Sequence, residues 1–473
     1  MKSVLKKIFL AATILVSSSG QHVMADDVLK LSGESTSDFP RLIKALVNSD
    51  MHFTAVSFIK ELLSEGGGKI NSSLDYAIDE VISQAGVRQF EVLPLEILRR
   101  STAPTIRYIV AKKLFRMGKY QESLEALNAS IPREHPVKPY ALNLEGSAYS
   151  VMQKYENAVE AFKECATRSE RERGRVDDEK QKKQYEINRD VCVAGIARSY
   201  FAAKQFDKAN LSYLDIPKSS YIWPDILFEE AWNSFYLRDY NRTLGKLVTY
   251  KAPIFDFVFN PEIDVLRALT YMELCMWTDT NAAVNDFYKK YENQSQGVRD
   301  FILKKGKDYK YYYLLAKSRL TDKVRGNELL NNLLRSIVND PAFGEMYLAF
   351  NKGKDEIEKL NKLTNRSLKA ALQNSLREAL VLQRDLIGSY VRKRLSLDMD
   401  KLDKAFEGMS YIKLEILGQR KNEIYEFEAN NLRSRGDIAN LQRTDKQYFW
   451  TFNGEFWADE LGDYVFSLKS ECR

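Results

Sequence analysis

The chain has 473 residues, with 71 Lys and Arg against 65 Asp and Glu and a formal charge of +6. That near-balance offers no electrostatic footprint for nucleic acid. Only 11 Pro and 22 Gly interrupt a chain rich in Leu, Ala, Glu and Lys, which favours packed helices over sheet or disorder.

At the start, Lys2, Lys6 and Lys7 precede an uncharged apolar run from Ile8 to Val16, then Ser17, Ser18, Ser19 and Gly20. The run is roughly half of the ~20 residues a spanning helix needs, and small Ala25 stands before Asp26 and Asp27, so residues 1–25 read as a cleavable secretory signal. Its removal leaves 68 basic residues against 65 acidic ones, a charge of +3. No Cys follows the run to mark a lipoprotein, and no later segment is long and apolar enough to cross a bilayer. The expected location is the periplasm or the exterior, with no direct membrane span.

Residues 26–102 hold helical spacings at Leu42, Ala45 and Leu46 and at Phe53 and Val56, read as two degenerate helical repeats. Gly66-Gly67-Gly68-Lys69 lacks the spacing of a phosphate loop and reads as an inter-helix turn. From residue 103 to 300 the chain aligns with itself at a period of about 34. Five small residues, Ala111, Gly146, Ala197, Ala231 and Ala268, are each followed nine positions later by an aromatic (Tyr120, Tyr155, Phe206, Tyr240, Trp277). Twelve positions on comes a second small or short residue (Ser123, Ala158, Ala209, Thr243, Thr280). Small residues let two helices approach, large ones fill the gaps, and neighbouring pairs stack into one continuous core. Gly118-Lys119, Gln153-Lys154, Lys204-Gln205 and Arg238-Asp239 fall where each hairpin reverses, and Pro132, Pro217 and Pro253 follow the second helices.

This pattern resembles the tetratricopeptide-repeat family, over about residues 103–292. It departs from that family in lacking a Trp near each repeat start, and in a 51-residue step from Gly146 to Ala197. The extra residues, through Arg168–Arg173 and Asp177–Lys180, read as charged extensions of the flanking helices.

The period fades over 301–445, where two apolar stripes remain. One runs through Ile357, Leu360, Leu368, Leu372, Leu376, Leu380 and Leu386; the other through Leu402, Phe406, Met409, Ile412, Ile416, Ile424 and Phe427. With Leu397-Asp398-Met399-Asp400 as the join, they predict a long antiparallel hairpin, either a coiled coil or two helices closing the core. Residues 446–473 are aromatic, with Asn453-Gly454 as a tight turn, and read as an irregular plug on that hairpin. The ending is similar to that of some periplasmic repeat proteins of predatory and gliding deltaproteobacteria, in which such proteins join envelope or motility complexes. The expected fold is all-α: a tetratricopeptide-type solenoid, then the hairpin, then the plug.

Catalytic parts are missing. Beyond the signal only His52 and His135 remain, without Cys or carboxylates at ligand spacing, and no nucleophile, phosphate-loop or zinc motif occurs. Neither an enzyme nor a cofactor or metal is expected. Four cysteines in an oxidising compartment allow bridges. Cys165 and Cys192 lie level if the insertion reverses near Asp177-Asp178, whereas a turn at Gly174 offsets them; Cys275 with Cys472 is the complementary pair, and buried free thiols are the other reading.

The family resemblance implies a concave groove lined by first helices. The matching positions are Tyr108, Lys112, Phe115 and Arg116; Tyr140, Asn143 and Ser147; Arg198 and Phe201; then Asp225, Phe228, Trp232, Phe235 and Tyr236. Aromatic and Arg side chains anchor interfaces well. The expected function is a scaffold of an envelope complex, holding a partner segment in this groove, or else these aromatics pack within the protein. The alternative is a peptidoglycan- or glycan-binding factor using a cluster of Trp223, Trp232, Tyr221 and Tyr236.

Overall fold

The computed structural model describes residues 39–65, 70–128, 131–321, 327–425, 443–452 and 454–472. The signal at 1–25, the Gly66–Lys69 stretch, Phe427 and Asn453 lie outside them, and the side chain of Ile424 is not described. Among the described residues the chain is helical, apart from one short parallel strand pairing. No described helix is long and apolar enough to cross a membrane.

In order, the helices are α1 (Phe39–Asn48), α2 (His52–Glu65), α3 (Asp75–Ala85), α4 (Arg88–Glu91), α5 (Leu95–Leu98), α6 (Pro104–Arg116), α7 (Tyr120–Asn128), α8 (Lys138–Val151), α9 (Tyr155–Arg173) and α10 (Glu179–Ala202). There follow α11 (Phe206–Leu214), α12 (Trp223–Tyr236), α13 (Tyr240–Val248), α14 (Glu262–Glu273), α15 (Trp277–Lys305), α16 (Tyr309–Leu320), α17 (Glu328–Asn339), α18 (Pro341–Asn361) and α19 (Arg366–Tyr425). Strands β1 (Trp450–Thr451) and β2 (Tyr464–Val465) pair in parallel.

One backbone turn recurs through the repeats. The residue seven positions after each small residue has positive φ: Gly118 at 77°, Gln153 at 60°, Lys204 at 59°, Arg238 at 61° and Cys275 at 57°. In four of these turns the same two bonds close the first helix. Lys204 N–H donates to Phe201 O at 2.9 Å and Gln205 N–H to Tyr200 O at 2.9 Å, with counterparts at Gly118/Lys119, Arg238/Asp239 and Cys275/Met276. Those bonds satisfy carbonyls that a helix end leaves orphaned. Asp50, with φ 52°, makes the same turn between α1 and α2, so the pattern begins before residue 103.

The chain divides into two compact units. The first comprises the chain up to Met152, Tyr309–Tyr313 and Asp340–Tyr390. Its core joins Ile43, Leu46, Phe53, Ile59, Ile78, Phe90 and Ile106 to Leu360, Leu372 and Leu376. Glu356 on α18 supplies what the first turn of α2 lacks: its carboxylate accepts from Phe53 N–H at 2.7 Å and from Thr54 N–H and hydroxyl at 2.9 and 2.8 Å. A carboxylate at a helix N-terminus also meets the positive end of the helix dipole. Beside this, Gln89 donates to Ala379 O and Gln383 Oε1, both at 3.0 Å, and accepts from Lys60 Nζ at 3.1 Å.

The second unit comprises Gln153–Asp308, Leu314–Asn339 and the chain from Val391 on. Here α9 to α15 pack each on the next in sequence. Helices α9 and α10 are lengthened as the insertion suggests; their seam is packed, with Asn188 Nδ2 donating to Ser169 Oγ at 2.9 Å and Tyr185 buried. Phe406 on α19 stands 4.9 Å and 5.6 Å from the rings of Phe287 and Tyr288 on α15. These units cut across the sequence divisions at 102/103, 300/301 and 445/446, because later helices return to pack on earlier ones.

Three expectations need correction. No hairpin exists at Leu397–Asp400: α19 is one helix of 60 residues, and the buried stripe continues through Ile387, Val391, Leu395, Met399, Leu402, Ala405 and Met409. Nothing in Leu-Asp-Met-Asp breaks a helix, having neither Pro nor Gly. The chain does break at Lys362–Asn365, so Ile357 and Leu360 belong to α18, and Ile357 is exposed. Nor does the aromatic ending sit on a hairpin. Leu461 and Tyr464 pack with Trp223, Leu227, Val248 and Phe255, on α12, α13 and the turns after α13.

That docking depends on one glycine. A Cβ at Gly245 on α13 would collide with the Tyr464 carbonyl. Gly245→Ala is expected to detach the ending while helix α13, which gains propensity, persists. Hydrogen exchange at the amides of Gly462, Phe466 and Leu468 checks this; unchanged protection would refute the packing. Separately, burial pushes the Lys60 amine from 10.5 down to about 8, with Glu378 opposing. Between those two pH values the unfolded chain binds a proton that the folded chain does not, so this group makes stability rise with pH across that window. Lys60→Met is expected to flatten the rise by at most about 3 kcal/mol, read from urea midpoints at pH 7.5 and 10.

Candidate partner-binding face

The repeat fixes most side chains before any ligand is considered. Four positions after the small residue, Phe115, Phe201 and Phe235 each meet the aromatic that opens the second helix. Phe115–Tyr120, Phe201–Phe206 and Phe235–Tyr240 lie at 5.3, 5.4 and 5.5 Å, with interplanar angles of 66°, 66° and 61°. Such edge-to-face pairs bridge each turn and stabilise the hairpin. Three residues expected in the groove therefore have a structural task.

In the first unit the expected cations are already neutralised. Lys112 Nζ lies 2.8 Å from Glu91 Oε1 and Arg116 Nη1 2.7 Å from Glu91 Oε2. Burial works against the Glu91 charge, and these two cations outweigh it, holding the carboxyl below its ordinary range. Tyr108 lies beneath Lys112, 5.9 Å from ring to amine, its phenol pushed up to about 12 by burial. Tyr140 and Asn143 are half-buried on α8, and Ser147 turns its hydroxyl back to the Asn143 carbonyl at 2.8 Å.

The second unit gathers its expected residues more tightly. Phe228 is 9% exposed and belongs to the core with Ala231, Leu247 and Leu266. Trp232 and Tyr236 occupy positions where the other repeats carry Lys112, Ser147, Arg198 or Leu269, and Arg116, Val151, Ala202 or Glu273. Tyr236 stacks on Phe206 at 5.3 Å and 9°, meets the Phe201 edge at 5.4 Å and Trp232 at 6.0 Å, and still leaves 53% of itself exposed. One helical turn along α12 from Trp232, Glu229 is held by the Arg198 fork at 2.7 and 2.8 Å and accepts from the Tyr213 hydroxyl at 3.2 Å. Burial opposes the Arg198 charge, and Glu229 outweighs it, raising the guanidinium pKa. Burial and then Glu229 push the Tyr213 phenol well up. Asp225 reaches solvent, yet the surrounding protein, and next Glu229, raise its carboxyl, with Lys401, Arg198 and Arg394 opposing. The result is one face: Asp225, Glu229, Trp232 and Tyr236 along α12, with Arg198, Phe201 and Phe206 beside them.

Phe206, Tyr213 and Glu229 were absent from the expected groove, though Phe206 stood in plain view as the aromatic of the third repeat. The four-aromatic sugar cluster is not formed: Trp223 is 7% exposed, 5.9 Å from Phe255, in the core that holds the C-terminal segment.

The cysteines stand in two pairs at disulfide distance. Cα separations are 6.1 Å for Cys165–Cys192 and 5.0 Å for Cys275–Cys472. Helix α9 does stop at Gly174, the position expected to prevent the first pairing, but residues 175–177 absorb the offset before Asp178 caps α10. His52 faces Glu80 at 3.7 Å and His135 faces Asp79 at 3.2 Å, and no metal-ligand cluster occurs among the described residues. No family model matches the chain, and no curated protein matches it.

Proposed function

We propose that this chain is an exported tetratricopeptide-type protein that serves as a binding scaffold in a bacterial envelope complex, of the motility or envelope-assembly kind. The α12 face of Trp232 and Tyr236, flanked by Phe201, Phe206 and the Arg198–Glu229 pair, receives a partner segment. The observation that carries this reading is the departure of Trp232 and Tyr236 from the repeat. The fold does not use those positions elsewhere for aromatics, yet here they build a contiguous, half-open stack. Large rigid rings around a fixed charge pair are the composition of an interface centre. Two cysteine pairs at bonding distance are compatible with export.

A photoreactive amino acid at Tyr236 tests it, with Leu303, 78% exposed on α15, as the control position. The expected outcome is one discrete protein adduct from position 236 that is missing from position 303 and falls at least tenfold when Trp232→Ala is added. Identical adducts from both positions, or glycan alone from 236, would overturn the reading.

A further inference from the structure

We propose that the Cys275–Cys472 bridge is a reducible latch, whose opening releases the segment from Phe466 to Cys472 and uncovers apolar surface next to the aromatic face. The two bridges differ in access: Cys165 and Cys192 are fully buried, whereas Cys472 is exposed. The segment is held lightly. Phe466 N–H donates to Asn241 O at 3.1 Å, Asn241 Nδ2 donates to Leu468 O at 3.1 Å, Leu468 N–H donates to Asn241 Oδ1 at 2.8 Å, and Glu471 N–H donates to Leu274 O at 2.8 Å. Residues 469–472 are exposed. These partly solvated hydrogen bonds and the half-buried Phe466 and Leu468 work against the ordering cost of every residue in the segment, so the covalent tie to Cys275 tips the balance that keeps it in place.

Upstream the hold is of another kind. Leu461, Tyr464 and Val465 are buried, and Gly462 N–H donates to Thr249 Oγ1 at 3.1 Å, so loosening stops at Phe466. Beneath the released part lie Leu244, Leu274 and Met276, with Tyr240 and Tyr271 beside them, now covered by Phe466 and Leu468. Tyr240 meets Phe235 at 5.5 Å, and Phe235 in turn meets Trp232 at 5.6 Å and Tyr236 at 6.2 Å, so the uncovered surface adjoins the aromatic face through that ring.

The reductant is a dithiol, such as the paired cysteines of a thiol–disulfide oxidoreductase. Its thiolate attacks exposed Cys472 Sγ, breaking the bond to Cys275 and expelling the Cys275 thiolate. The second thiol then closes the reductant's own disulfide and expels the Cys472 thiolate. Two electrons pass to the bridge, and the two protons given up by the dithiol end on Cys275 and Cys472.

The full chain, titrated with dithiothreitol, provides the test. Differential alkylation with mass spectrometry reads each cysteine, and hydrogen exchange reads residues 460–472. Cys275 and Cys472 should become alkylatable at a reductant concentration at least tenfold below that needed for Cys165 and Cys192. Exchange at Leu468 and Glu471 should then rise at least tenfold while Tyr464 and Val465 stay protected. Cys472→Ser should show the same exchange without reductant, and the wild-type titration decides should that variant fail to fold. Simultaneous or reversed reduction of the bridges, or tail amides that keep their protection once Cys275 and Cys472 are free thiols, would overturn the latch.

Discussion

The close approach of paired helices at small residues is the constraint from which the rest follows. Ala111 and Ser123 in the first unit, and Ala197 with Ala209, Ala231 with Thr243 and Ala268 with Thr280 in the second, have no exposed surface. Ser123 Oγ donates to the Ala111 carbonyl at 2.8 Å, so even the polar member serves the contact. Helices this close leave room only for a turn of about three residues, and the turn used places one residue in the left-handed region. At Lys204, Arg238 and Cys275 that residue has a side chain, which costs roughly 1 kcal/mol; the two hydrogen bonds closing each turn offset it. With the turn fixed, the aromatic opening the second helix lies against Phe115, Phe201 or Phe235 in the three hairpins that carry a ring four positions after the small residue. The candidate face follows from this, since Tyr236 can stack on Phe206 only because α10, α11 and α12 share that register.

Two returns of distant chain complete the units. Glu356 caps a helix that begins about 300 residues earlier. Burial raises its pKa, with bonds from Phe53 and Thr54 opposing, so the cap is a compromise between desolvation and the N–H groups it serves. In the second unit, Asn241 and Gly245 on one helix receive the C-terminal segment, the amide by pairing with backbone and the glycine by yielding space. Both devices depend on one or two residues whose partners lie far along the sequence.

That separates what was legible from what was not. Periodicity marks helices, small residues mark their contacts, and Gln153, Lys204 and Arg238 stood at the expected turns because local geometry repeats with the sequence. The insertion between Gly146 and Ala197 was legible as helix for the same reason. Leu397–Asp400 misled because a change of stripe phase resembles a turn, while one helix that meets different neighbours along its length shows the same change without breaking. Glu356, Asn241 and Gly245 carried no local signal at all, since a carboxylate, an amide and a glycine acquire their roles only from the segment that arrives. At the candidate face, position alone overcounted: Phe115, Phe201 and Phe235 lie at groove positions and are engaged at their own turns.

The more informative quantity is departure from the repeat. A residue type that recurs at one position in several hairpins is explained by the hairpin, as the edge-to-face pairs are. A type that occurs once, at a position filled elsewhere by Lys, Ser, Arg or Leu, has no such explanation and must be accounted for by its particular neighbours. Tyr236 is partly accounted for by Phe206 and Phe201, and Trp232 by Phe228 and Phe235, which it meets at 6.5 and 5.6 Å. What the neighbours leave open is the outer half of Tyr236 and the approach to Glu229, whose charge Arg198 and Tyr213 already hold in place. A ligand meeting this face would find rings and charges with little freedom left to lose, so the ordering cost on the protein side is already met by the fold.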